Sequence, residues 1–254
     1  MKVLLVQPSY RRARESRGGT WGCHPPLGLC YIAAVLEQND VPVEILDANA
    51  LDLTQRDVVA HIRRENPQII GFSMLTPAHN FCVGVAREIQ DEYLVVAGGP
   101  HAVGLSEELL GGGFDVVVRG EGEYTMLDLA EMKPLRTISG ISYRKPDGTI
   151  AHNEDRPLVR DLDAIPFPAR HLLPSNGVNL PYRAAASRYF PWSTILTSRG
   201  CPYACYFCNK NISGQLFRVR SPGNVIEEIE FLANEYGVRE IDIADDTFNI
   251  DLDR

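Results

Sequence analysis

Three of the six cysteines in this chain, Cys201, Cys205 and Cys208, fall within the stretch T-S-R-G-C-P-Y-A-C-Y-F-C-N-K, residues 197–210. A disulfide needs two thiols, and a structural zinc site normally takes four nitrogen or sulfur ligands. Three thiolates spaced C-x3-C-x2-C leave one position of a metal centre open, and catalytic centres use an open position to bind a small molecule. The plain alternative is a zinc ribbon with a remote fourth ligand. No second C-x-x-C and no histidine pair follows to supply it.

The apolar run Ser193–Thr197 reads as a strand leading straight into this loop. The cysteines therefore stand at the carboxyl end of a strand, where α/β barrels keep their chemistry. A helix follows, with Ser221 as its cap, Pro222 at its first position and Gly237 closing it, and then a strand Glu240–Ala244.

A second group of candidate residues lies upstream. Strands are predicted at Val3–Val6, Val43–Asp47, Ile69–Ser73, Leu94–Ala97 and Asp115–Val118. Helices are predicted at Leu27–Gln38, Thr54–Glu65, Pro77–Gln90 (capped by Thr76), Ser106–Leu110 and after Tyr124. Continuous apolar strands alternating with helices imply an α/β fold with a parallel sheet covered on both faces. Such sheets bind ligands outside the carboxyl ends of their strands. That rule selects the stretches Pro8–Ser9, Ser73–Thr76, Gly98–His101 and Gly120–Glu123, and within them Pro8, Ser9, Ser73, Met74, Thr76, Gly98, Gly99, His101, Gly120 and Glu121. Gly98-Gly99 removes side chains where a flat ligand could approach the backbone, and Ser73 and Thr76 offer hydroxyls at the same edge.

Three segments result: a sheet domain at 1–132, a connector at 133–192, and a second α/β rhythm at 193–254. The connector opens with an Asp147-Gly148 hairpin signal and continues through prolines at 157, 166, 168, 174 and 181. The arginine-rich loop containing Arg11, Arg12, Arg14, Arg17 and Trp21 reads as solvated surface, with contact to an anionic ligand as the sharper option.

Composition excludes little but bounds the rest. The chain has 254 residues, 44% apolar and 23% charged, with a net charge of −8, which argues against nucleic acid or an anionic membrane as main partner. The N-terminal apolar run is too short for a signal peptide, and no stretch approaches the roughly 20 apolar residues of a membrane span. Metal-like cysteine spacing agrees with a reducing, cytoplasmic setting.

S-R-G-C-P-Y-A-C-Y-F-C resembles the signature of the radical S-adenosylmethionine (radical SAM) superfamily. The resemblance implies a [4Fe–4S] cluster on Cys201, Cys205 and Cys208, with S-adenosylmethionine on the fourth iron and reductively cleaved to a deoxyadenosyl radical. It also places Phe207 beside the adenine, and Asp245 and Asp246 of A-D-D-T-F at the S-adenosylmethionine amino group. P-P-L-G-L-C-Y-I-A-A-V-L-E, G-F-S-M-L-T, G-G-P-H and R-G-E-G-E-Y-T resemble the cobalamin-binding module of one branch of that superfamily. The implied fold is a flavodoxin-like (Rossmann-like) five-stranded parallel sheet followed by the start of a partial TIM barrel. The ten upstream candidates become cobalamin-binding positions. The module's frequent D-x-H-x-x-G is missing, and His24, His79 and His101 do not replace it, so cobalamin is expected without a protein histidine on cobalt.

The implied activity is methyl transfer to an unactivated carbon, or to phosphorus, of a small molecule. An electron donor such as flavodoxin or ferredoxin would serve the cluster. An oxidative cyclase of the anaerobic Mg-protoporphyrin monomethyl ester type is the alternative within the branch, and a non-catalytic cobalamin-binding module the alternative outside it. A barrel needs more βα units than residues 193–254 can supply, so the chain is expected to be part of a longer polypeptide.

Overall fold

The computed structural model describes residues 1–10, 23–179, 181–209 and 212–251; the arginine-rich stretch 11–22 lies outside them. Five strands, β1 (Val3–Gln7), β2 (Val43–Asp47), β3 (Ile69–Ser73), β4 (Leu94–Gly98) and β5 (Val116–Val118), pair in parallel in the order β2-β1-β3-β4-β5. Between them run α1 (Leu27–Gln38), α2 (Gln55–Glu65), α3 (His79–Ile89) and α4 (Ser106–Gly111), and α5 (Glu123–Ala130) follows β5.

Alternation along each strand explains the two cores. Val3, Leu5, Ile69, Val96 and Val116 point to one face and pack against α1 and α5 through Ala33, Leu36, Met126 and Leu129. Leu4, Val6, Ile70, Phe72 and Val95 point the other way, against α2, α3 and α4 through Val58, Ile62, Val85 and Leu109. A sheet buried on both faces reads in sequence as unbroken apolar runs, the pattern that defined these strands.

Local signals set most helix ends. Thr54 and Asp57 form a reciprocal capping box at α2, which Asn66 closes in the left-handed region. Thr76 does not act as the cap predicted for α3. A 3₁₀ turn, Thr76–Ala78, precedes α3, and the Thr76 hydroxyl pairs with His101 Nδ1 at 3.1 Å.

The Asp147-Gly148 signal does make a hairpin, β6 (Ile141–Arg144) and β7 (Ile150–His152), and the hairpin joins the main sheet. Strand β6 pairs antiparallel with β5, so the five parallel strands extend to seven. This covers an edge that would otherwise expose unpaired N–H and C=O groups. Arg119 fixes the addition, donating to Ser142 Oγ at 2.6 Å and to Asp155 Oδ1 at 2.9 Å.

The chain then returns across α1. Leu162 and Ile165 bury against Leu27, Tyr31 and Val35, and Tyr182 donates to buried Asp47 Oδ2 at 2.8 Å. Beyond it lie β8 (Trp192–Ile195), the two-residue strands β9 (Ser198–Arg199) and β10 (Arg218–Val219), α6 (Pro222–Tyr236) and β11 (Glu240–Ile243). Strands β8 and β11 pair in parallel around α6 as a βαβ unit, and antiparallel β9–β10 closes the base of the cysteine loop. Ser221 caps α6 by accepting from Asn224 N–H, and Gly237 ends it with φ 64°. Among the described residues, no helix is long and apolar enough to cross a membrane.

Candidate functional site

One cleft collects the carboxyl ends of β3, β4 and β5 and faces the second α/β unit. Ser73, Gly98, Gly99, Gly120 and Glu121 line one wall, with Tyr31 and Ile32 of α1 beside them. Leu196, Ser198, Arg199, Ala244 and Asp246, from the ends of β8 and β11 and from β9, line the opposite wall. Candidate positions from both halves of the chain therefore open on the same space.

The glycines differ in what they do there. A Cβ on Gly98 would meet no protein atom nearer than 3.8 Å, and one on Gly120 only Ile212 O, also at 3.8 Å. Both missing side chains leave cleft volume, and at Gly120 a φ of 80° also favours glycine. Gly99, with φ 90°, answers to the backbone: a Cβ there would lie 2.8 Å from Met74 N.

Other predicted positions sit apart from the cleft lining. Met74 is fully buried; its N–H donates to Gly98 O at 2.8 Å, and its carbonyl accepts from His101 N–H at 3.1 Å. His101 joins Thr76 to His79, with His79 Nδ1 and His101 Nε2 at 3.0 Å, and His79 Nε2 lies 3.4 Å from Glu108. Burial, reinforced by neighbouring His79, holds the His101 pKa below the ordinary histidine value. Just beyond β1, Pro8 is buried and Ser9 half-buried. No histidine is found among the described residues lining the cleft.

The cysteine loop leaves β9 through Gly200, whose φ of 82° and a would-be Cβ only 2.3 Å from Leu216 O admit no side chain. Cys201 is partly exposed, Cys205 and Cys208 are exposed, and Cys208 N–H donates to Cys205 O at 3.1 Å. Phe207 is 92% exposed. The two aspartates expected at S-adenosylmethionine divide. Asp246 lines the cleft. Asp245 is engaged within the protein: Oδ1 accepts from Thr197 and Ser198 N–H at 2.6 and 3.1 Å, and Oδ2 from their hydroxyls at 2.5 and 2.8 Å.

A buried charge cluster bridges the halves at the cleft floor. Arg218 pairs with both Glu121 oxygens at 2.9 and 3.0 Å, while Arg199 donates to Glu121 at 3.2 Å and to Glu123 at 2.7 Å. Burial opposes the charge on Arg199, but the Glu123 and Glu121 carboxylates outweigh it and hold its pKa above the ordinary value. The guanidinium also lies 5.1 Å from the Tyr31 ring centroid. Glu123 ends the predicted stretch Gly120–Glu123, whereas Arg199 and Arg218 were not among the sequence candidates. Sequence separations of 76 to 97 residues left no local pattern to find them by.

A parallel sheet ordered β2-β1-β3-β4-β5 with a glycine-bared carboxyl edge, facing a βαβ unit that begins with a three-cysteine loop, defines an α/β protein with a cleft shared between two units. Residues 20–130 match the family model for the B12 binding domain. An uncharacterized methyltransferase of Pyrococcus horikoshii is 38% identical over 265 aligned residues, which cover 100% of this chain and 55% of that protein. The anaerobic magnesium-protoporphyrin IX monomethyl ester cyclase of Rubrivivax gelatinosus is 29% identical over 97% of this chain and 45% of its own length. The structure of the cobalamin-dependent S-adenosylmethionine radical enzyme OxsB with aqua-cobalamin bound shares the fold. Its TM-score is 0.78 at 22% identity, over 97% of this chain and 34% of that one. The chain is thus similar along nearly its whole length to these proteins, and its residues 20–130 to the B12 binding domain. It spans about half the length of the curated relatives it matches.

Proposed function

We propose that this chain is the cofactor-binding part of a cobalamin-dependent radical SAM enzyme that transfers a methyl group to an unactivated carbon, or to phosphorus, of a small molecule. The observation that carries the reading is the shared cleft, onto which the glycine edge of the sheet and the ends of β8 and β11 both open. The residues present fit the groups required. Gly98 and Gly120 leave bare wall for a flat macrocycle, and three clustered thiols are the donor set preferred by an iron–sulfur cluster. When bound, the cluster would supply one-electron reduction of S-adenosylmethionine, and cobalamin would supply methyl-group transfer.

The chain's own residues would do the holding. Cys201, Cys205 and Cys208 would ligate iron, leaving one iron for S-adenosylmethionine. Asp246, in the cleft wall, is suited to an ammonium group, and Phe207 to an adenine face. Ser73 would offer a hydroxyl to the cobalamin side chains, and cobalt would take no histidine from this chain. A cytoplasmic setting and a flavodoxin or ferredoxin donor complete the proposal.

The test is anaerobic reconstitution with iron, sulfide, hydroxocobalamin and S-adenosylmethionine, followed by assay of 5′-deoxyadenosine release. Release is expected from the parent protein and absent from the Cys201→Ala, Cys205→Ala, Cys208→Ala triple variant; release that persists in the variant refutes the cluster assignment. An oxidative cyclase is the second reading, supported by the likeness to the Rubrivivax protein along nearly the whole chain. Incorporation of labelled methyl from S-adenosylmethionine into product separates the two, since a cyclase would incorporate none.

A further inference from the structure

The segment A-D-D-T-F ends β11 and runs alongside the entry to the cysteine loop. It is joined to that entry at two points. Upstream, Asp245 accepts four hydrogen bonds from Thr197 and Ser198. Downstream, the Thr247 hydroxyl donates to Cys201 Sγ at 3.4 Å. Between those points the chain passes through Gly200, whose positive φ and close approach to Leu216 O fix its direction into Cys201. The Thr247 hydroxyl therefore meets a sulfur carried on a backbone whose direction Gly200 fixes.

We propose that Thr247 is a positioning residue for the cluster: it hydrogen-bonds the Cys201 thiolate and raises the cluster's reduction potential. This rests on the functional reading above. A cysteine that ligates iron is deprotonated, so its sulfur only accepts, and Thr247 is the donor. Reduction adds one electron whose charge is shared with the ligand sulfurs. A donor aimed at one of them stabilises the reduced state more than the oxidised one, and hydrogen bonds to sulfur are among the determinants of cluster potential. Asp245 and Thr247 thus hold the loop from one strand end, while neighbouring Asp246 faces the cleft.

The experiment is an EPR-monitored redox titration of the anaerobically reconstituted protein, with dithionite as reductant, comparing wild type, Thr247→Val and Thr247→Ser. Valine keeps the shape and removes the donor; serine keeps the donor. Thr247→Val is expected to assemble the cluster but to be about tenfold harder to reduce, a fall of about 59 mV for a one-electron couple. Thr247→Ser is expected to stay near wild type. Loss of the cluster in Thr247→Val but not in Thr247→Ser also supports the hydroxyl's role. An assembled Thr247→Val cluster with wild-type potential overturns the inference while leaving the functional reading standing. So does equal loss of the cluster in both variants. A wild-type protein that assembles no cluster overturns the functional reading, and this inference with it.

Discussion

Arg199, two residues ahead of Cys201, donates to Glu123 Oε1 at 2.7 Å, and both side chains are about nine-tenths buried or more. The pair links the first residue of α5 to β9, which leads into the cysteine loop. Glu121 stands beside it, held by Arg218, Arg199 and the Val159 N–H at 2.9 Å. With its carboxylate occupied from three directions, Glu121 serves here to fasten the two α/β units to each other across the cleft.

Removing that carboxylate leaves two buried guanidinium groups short of a partner. Glu121→Ala is expected to lose about 3–5 kcal/mol of stability, the usual cost of breaking a buried pair from one side. Urea unfolding at neutral pH checks it. A loss under about 1 kcal/mol would mean that water reaches the cluster and takes over the pairing.

Adjacent glycines should respond in opposite ways. Gly98→Leu places a side chain in open cleft, so the fold is expected to persist. Hydroxocobalamin uptake should weaken about fivefold or more, matching an overpacking cost of about 1–3 kcal/mol. Gly99→Ala forces a Cβ against Met74 N in a left-handed conformation and is expected to destabilise the fold by about 1–3 kcal/mol. Thermal unfolding and absorbance titration distinguish the two effects.

The two aspartates after β11 offer a similar contrast. Asp245→Ala strands two N–H groups and two hydroxyls, so a loss of about 1–3 kcal/mol and a lower iron content after reconstitution are expected. Asp246→Ala, at an exposed position, is expected to leave stability within about 0.5 kcal/mol and to weaken S-adenosylmethionine binding instead. Calorimetric titration of S-adenosylmethionine into the reconstituted variants is the check.

His101 gives stability a pH dependence of definite sign. Its pKa in the folded protein is depressed by burial and by His79, so between that value and the ordinary 6.5 the unfolded chain binds more protons. Well above about 6.5 the residue is neutral in both states and contributes no slope. As pH falls below that point stability should decline, until the folded-state pKa is passed. His101→Gln is expected to flatten this part of the profile, measured by urea midpoints between neutral and mildly acid pH. An unchanged slope would place the acid sensitivity in other groups.

The features legible from sequence share one property: their chemistry is complete within a few residues. Cys201, Cys205 and Cys208 span eight positions, and Ser221 and Gly237 bracket a single helix. Each parallel strand announced itself because burial on both faces demands an uninterrupted apolar run. Where a polar side chain had a choice of partners, local reasoning fell short. The Thr76 hydroxyl is well placed to cap a helix, yet it turned to His101, 25 residues away. Asp147-Gly148 specified a hairpin, but nothing in those residues said that β6 would extend the main sheet beyond β5.

The identity of the loop, the order of the elements and the apolar runs of the strands follow from local stereochemistry and from the need to bury apolar surface. The partners across the cleft do not. Glu121 and Arg218 are 97 residues apart, Thr197 and Asp245 48, and Cys201 and Thr247 46. Such pairs form only because parallel strands bring their carboxyl ends to one edge, and the returning connector turns that edge toward a second sheet. Sheet topology and packing, acting over the whole chain, therefore decide which carboxylates hold the protein together and which face the cleft.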